Sequence, residues 1–152
     1  MPGSALPAEV RARVLARIAS GLPLIFSWWQ LSSDPALAAA LQVTTSDFST
    51  PRPVYPRTGA SVNFFTSSQV FPAPLTSTDD AGINGQLLSS TAGGEVLCTF
   101  DSASGAAAIV TANAHKTLVL GFLPWDFQRT NNDGDATLDT VELFQNLLQY
   151  SF

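Results

Sequence analysis

Three runs rich in apolar and β-branched residues, at 95–100, 106–111 and 116–122, lie near the end of the chain with short polar connections at 101–105 and 112–115. Runs of this length joined by short polar links predict adjacent antiparallel strands. Near the start, Val10, Val14 and Ile18 recur at four-residue spacing with Leu15 beside them. Pro7 opens that stretch and Gly21 closes it, which predicts a helix over 7–21. Residues 22–29 are apolar without alternation and too few for a helix, and they read as a buried strand. Asp34 followed by Pro35, with Leu37 and Leu41 on one face, predicts a short capped helix. At the other end Val141, Phe144, Leu147 and Leu148 mark the buried face expected of a closing helix. Asp139 and Glu142 resemble its capping box.

Between these ends the pattern breaks down. Pro51, Pro53, Pro56, Pro72 and Pro74 suppress ladders and helices alike, and the most strand-like pieces left are 61–65 and 68–71. Phe48, Tyr55, Phe64, Phe65 and Phe71 give this stretch enough aromatic area to pack down. Residues 79–85, with Asp79 and Asp80 adjacent, read as a solvated turn. Helix, strand and helix followed by a meander predict an α/β fold whose mixed sheet has flanking helices. The chain is expected to be one such domain, or part of one, over 1–152 with a proline-rich irregular insert at about 44–75.

Composition narrows the classes of partner. At 152 residues and 45% hydrophobic with a net charge of -5, the chain has enough apolar material for one core. Seven basic residues against twelve acidic ones give no stripe for phosphates, so nucleic acid is not expected as a partner. Arg11, Arg13 and Arg17 fall on the polar face of the first helix. No run approaches the roughly 20 apolar residues of a membrane span. Residues 1–7 lack a basic region followed by an apolar stretch, so as they stand they are not expected to act as a signal peptide. Only 12% of residues are charged, a surface that suits a protein partner or a second copy of the chain. The single lysine, Lys116, with this scarcity of charge favours an extracytoplasmic setting over a cytoplasmic one.

Candidate chemistry gathers at the junction 116–127 and just beyond it. Trp125 can stack a sugar face and Asp126 can serve as an acid or base, although a Trp after a Pro is as readily a core plug. His115, the only histidine, completes this candidate ligand-binding set and equally suits an exposed turn. Cys98, the only cysteine, lies inside a strand pattern, which favours a buried inert thiol. No nucleophile elbow of the G-x-S-x-G type is present. In 130–139 oxygen-bearing side chains alternate around a glycine, with Asn131, Asp133, Asp135 and Asp139 as candidate Ca²⁺ ligands. Matched to an EF-hand loop with Gly134 at the sharp turn, the stretch places Arg129 at the first ligand position and Thr140 at the last, where a bidentate Glu belongs. A weak, partly hydrated Ca²⁺ site and a plain Asx-rich turn are both open readings; no other cofactor is expected.

The order of these pieces resembles the second half of a class I glutamine amidotransferase-like domain, the flavodoxin-like superfamily that includes ThuA-like proteins. The resemblance is carried by 6–29, a helix leading through Ser20-Gly21 into a core strand, by 34–43, and by 95–150 with Gly121-Phe122 and the closing helix. It implies a flavodoxin-like, incomplete domain whose amino-terminal strands would come from upstream sequence or another copy. It also implies a cysteine on a strand-to-helix elbow and a His-Pro-Glu element after a late strand. Cys98 stands in a strand, and Phe122-Leu123-Pro124-Trp125-Asp126 has the proline without the histidine. The expectation is therefore a non-catalytic binding or structural module in a larger or oligomeric assembly. Two alternatives accompany it: a ThuA-like hydrolase or carbohydrate-processing enzyme with its site near Trp125 and Asp126, and a calcium-stabilised surface or adhesion domain.

Overall fold

A computed structural model describes residues 6–28, 30–48, 52–76, 85–91 and 93–151. Helix α1 (Ala8–Ala19) is followed by strand β1 (Leu24–Ser27), a 3-10 turn (Leu31–Ser33) and helix α2 (Pro35–Ala40). Strands β2 (Val43–Phe48), β3 (Val54–Pro56), β4 (Gly85–Ser90), β5 (Glu95–Phe100), β6 (Ala107–Ala112) and β7 (Thr117–Leu120) come next. A second 3-10 turn (Pro124–Phe127) and helix α3 (Asp139–Ser151) complete the order. Trp29, the loop 79–84 and the side chain of Phe48 lie outside the described residues.

The predicted meander is present: β5 pairs antiparallel with β6, and β6 with β7. β1 lies parallel to β7, Leu24 opposite Thr117 and Ser27 opposite Leu120, so the seven-stranded sheet is mixed and the fold is α/β. One path through the sheet runs β1-β7-β6-β4-β2, with β5 and β3 on the other side of β6. β4 touches β6 at one pair, Leu88 opposite Ala107, where β7 has already ended. Gly121 closes this junction. Its N–H donates to the Ala108 carbonyl at 2.8 Å, and its own carbonyl accepts the Gln86 N–H at 2.7 Å. A Cβ here would stand 2.3 Å from the Gln86 oxygen, so the close approach of two backbones requires glycine.

Both faces of the sheet are buried, as expected when helices cover each side. Successive residues of β7 divide between them: Leu118 and Leu120 join one core cluster and Val119 the other. The first cluster is covered by α3, through Leu143 and Leu147, and by Phe64, Phe65 and Phe71. The second lies under α2, through Leu37 and Ala38, and under α1. The stripe of α1 begins at Val14 instead of Val10, which is 39% exposed; Val14, Leu15 and Ile18 are half-buried. Gly21 takes a left-handed φ of +66° just past the helix, the conformation for which glycine is suited. Among the described residues no helix is long and apolar enough to cross a membrane.

The middle of the chain is more ordered than its prolines suggest. β2 occupies 43–48, and β4 fills a stretch that the pattern leaves unassigned. Conversely, 61–65 and 68–71 are not strands; they form a loop pinched by one bridge between Thr66 and Val70. Aromatic packing fixes that loop, with the Phe65 and Phe71 rings 4.7 Å apart and Phe64 meeting Tyr150 edge-on at 5.4 Å. Asn146 of α3 bonds its backbone: Oδ1 accepts from the N–H groups of Ser68 (3.1 Å) and Gln69 (2.8 Å). Its Nδ2 donates to the carbonyls of Phe64 (2.7 Å) and Gln69 (2.9 Å).

The buried face of α3 also differs from the predicted one. Val141 and Leu148 are 44% and 47% exposed, while Thr140, Leu143, Leu147 and Ser151 are buried. Leu147 is buried as predicted and Phe144 packs half-buried against the same core, but the rest of the face runs through Thr140, Leu143 and Ser151. It tolerates polar groups where each finds a bond, as Thr140 does in donating to the Phe127 carbonyl at 2.5 Å.

Candidate functional site

The structure does not bring Trp125, Asp126 and His115 together. His115 precedes β7 and Trp125 follows it. Lys116 meets the start of β1, its carbonyl accepting the Leu24 N–H, and Phe122 meets the end, its carbonyl accepting the Ser27 hydroxyl. At about 3.3 Å per residue the six steps from Lys116 to Phe122 put the two ends roughly 20 Å apart. His115 lies in a turn in which it, Asn113 and Ala114 all take positive φ, and its Nδ1 is 2.9 Å from the Tyr150 hydroxyl.

Trp125 and Asp126 share the 3-10 turn yet differ in access. Trp125 is 66% exposed, so it is not a core plug, whereas Asp126 is buried. Their neighbour Phe127 fixes the turn by packing edge-on against Phe122 at 5.1 Å. Cys98 is fully buried in the middle of β5, and burial pushes its thiol far above the range in which a thiolate forms at neutral pH.

The acidic stretch after this turn is the most concentrated polar constellation in the described residues. Local bonds shape it. Asn131 Oδ1 accepts the Gly134 N–H at 2.8 Å, and Asn131 Nδ2 donates to the Asp135 carbonyl at 2.8 Å. Asp133 accepts the Asp135 N–H at 3.2 Å, and Asp135 the Thr137 N–H at 2.5 Å. Gly134 takes a φ of +73° at the tip. The loop is tied down on both sides: Thr130 and Asn132 donate side-chain bonds to the carbonyls of Thr76 and Pro74. The Asp139 N–H returns to the Thr130 carbonyl at 2.9 Å.

The predicted capping box is absent. Asp139 is the first residue of α3 and not its cap; its carboxylate accepts the Asn132 N–H at 3.0 and 3.2 Å. Glu142 instead turns to the loop. A carboxylate oxygen from each of Asp133, Asp135 and Glu142 lies within 4.8 Å of the others. Glu142 is only 3% exposed, and its Oε2 has no hydrogen-bond partner among the described residues. Burial, and then the charges of Asp135, Asp133 and Asp139, hold its carboxyl above the ordinary carboxylate range. Burial likewise raises Asp139, with Asp133 and Asp135 adding to it and the Asn132 N–H opposing it. Of the predicted cation ligands, Asp133 and Asp135 enter this cluster, Asn131 shapes its loop and Asp139 braces it from within. Glu142 is the member that the reading of the sequence assigns elsewhere.

Hollows on the surface of the described residues include two of note. One, about 360 Å³, is mostly apolar and lies between α2 and the outer strand β2, lined by Leu31, Pro35, Ala39 and Val43 among others. The other, about 430 Å³, is polar and holds Arg57 and Glu95, the latter accepting the N–H and hydroxyl of Ser61 at 2.7 Å each. No protein-family model and no curated protein matches the chain.

Proposed function

We propose that the chain is a non-catalytic binding or structural module, of amidotransferase-like α/β type, that works within a larger or oligomeric assembly. The observation that carries this reading is the placement of Cys98. The residue that would have to act as nucleophile in a working amidotransferase is sealed inside β5, with its thiol held protonated by burial. The placement of His115 before β7 and Trp125 after it adds to this, because a general base must stand within hydrogen-bond reach of its partner. A ThuA-like hydrolase that uses these residues together has less support for the same reason. Assembly is supported by β2, which among the described residues is the last strand of its sheet path and offers an edge for pairing beside the apolar hollow.

Sedimentation tests the reading together with a hydrolase and glutaminase panel. The expected outcome is a concentration-dependent associated species and no turnover. Ala39→Glu, an exposed change that puts a charge into the hollow, should return the chain to monomer without altering its melting temperature. A monomer at all concentrations, with turnover that disappears in Cys98→Ala or Asp126→Asn, would overturn it.

A further inference from the structure

We propose that residues 131–142 form a twelve-position calcium-binding loop of EF-hand type, in which Asn131, Asp133, Asp135 and Glu142 supply side-chain oxygens and Thr137 its carbonyl. Setting Asn131 at the first position puts Asp133 third, Asp135 fifth, Thr137 seventh, Asp139 ninth and Glu142 twelfth. In such loops the third and fifth positions are side-chain ligands, the seventh gives a backbone carbonyl, the ninth often acts through water, and the twelfth is a bidentate Glu. Two departures stand beside this match. Asn131 replaces the usual Asp, and Ala136 occupies the glycine position while the left-handed turn falls two residues earlier at Gly134.

The folded geometry supports this register independently of the spacing. Two oxygens on one Ca²⁺ at 2.3–2.6 Å can be at most about 5 Å apart. The carboxylate oxygens of the third, fifth and twelfth positions, within 4.8 Å of one another, meet that limit. α3 begins at Asp139, which sets Glu142 on its first turn facing back to the loop. Glu142 is the decisive member: a buried carboxylate with an unpartnered oxygen, within 4.8 Å of the carboxylate oxygens of Asp133 and Asp135, is a costly arrangement that a bound cation reverses. Asp133 and Asp135 are exposed, so an ion can reach the cluster. Three single side-chain oxygens, one carbonyl and a bidentate Glu give about six donors, which with water suits the larger Ca²⁺ better than the strictly octahedral Mg²⁺.

Calorimetric titration and thermal melts of the full chain test the proposal. Calcium at saturation should raise the melting temperature by about 5 °C or more, magnesium should do much less, and a chelator should reverse the rise. Glu142→Gln and Asp133→Asn should each weaken calcium binding at least about tenfold. Asp133 is on the open side of the loop, so its variant keeps the test valid should the buried change fail to fold. An unchanged melt at millimolar calcium, or an undiminished calcium response in Asp133→Asn, would overturn the site.

Discussion

Gly121 and Asn146 are two single residues on which large parts of the fold depend. The Gly121 backbone bonds β6 on one side and β4 on the other, and a methyl group there would collide with the Gln86 carbonyl. Gly121→Ala should therefore cost about 1–3 kcal/mol through forced separation of the strands. Urea unfolding checks this, and a loss below about 0.5 kcal/mol would show that the junction yields. Asn146 is buried and makes bonds to three residues of the aromatic loop. Asn146→Ala should lose about 2 kcal/mol, because water reaches the Ser68 N–H but not the Phe64 carbonyl as readily. An unchanged midpoint in the same experiment would mean that the Phe packing holds the loop unaided. Neither role was legible in the sequence. Gly121 reads as the end of a strand, and Asn146 as one polar residue on a helix, because their partners are far away along the chain. The inert thiol of Cys98 was legible, since an apolar strand surrounds it on both sides.

Among the elements, α2 shows how much a local signal can fix. Asp34 caps it as its Asp-Pro start predicts, accepting the Leu37 N–H at 3.0 Å, and the same carboxylate pairs with Arg11 of α1. Asp34→Ala should cost about 1 kcal/mol through the cap. Asp34→Asn keeps a capping oxygen and loses the ion pair. The hydrogen bond from Arg11 holds the Asp34 carboxyl below its ordinary range even against the opposing effect of burial. A depressed folded pKa contributes stability above the unfolded value, about 3.9, and loses it as pH falls through the folded one. The wild type should thus exceed Asp34→Asn in stability at pH 7 and converge with it under acid, as paired denaturation curves would show; a gap that is constant with pH would rule the ion pair out as its source. Where signals compete, legibility fails. In α3 the apolar Val141 and Leu148 draw the predicted stripe away from the true face, because the true face carries Thr140 and Asn146, whose burial depends on bonds no periodicity reveals. The acidic loop has the same problem. Gly134 is the natural anchor for a calcium-loop match, and anchoring there shifts the frame by two residues and hides Glu142 at the last position.

At the scale of the whole molecule, the α/β class and the mixed sheet follow from two local patterns, the opening helix-strand-helix and the closing meander. The connection between them does not, since β1 and β7 pair across about ninety residues and β2 and β4 carry too few apolar positions to be recognised as strands. The unequal burial of the helices then predicts how the molecule opens. α1 has no fully buried residue and is held by half-buried Val14, Leu15 and Ile18 together with the Arg11 pair. α3 buries Leu143, Asn146 and Leu147, and every residue of β6 and β7 is buried. Amide exchange should therefore separate the chain into tiers, because local opening follows the apolar contacts that must be broken. Amides of 11–19 should exchange well before those of 107–112 and 117–120, while α3 and the aromatic loop open together through Asn146. Mass-resolved exchange measures this directly, and equal protection of α1 and β6 would mean that α1 opens only with the whole fold, so that its contacts matter more than its exposure implies.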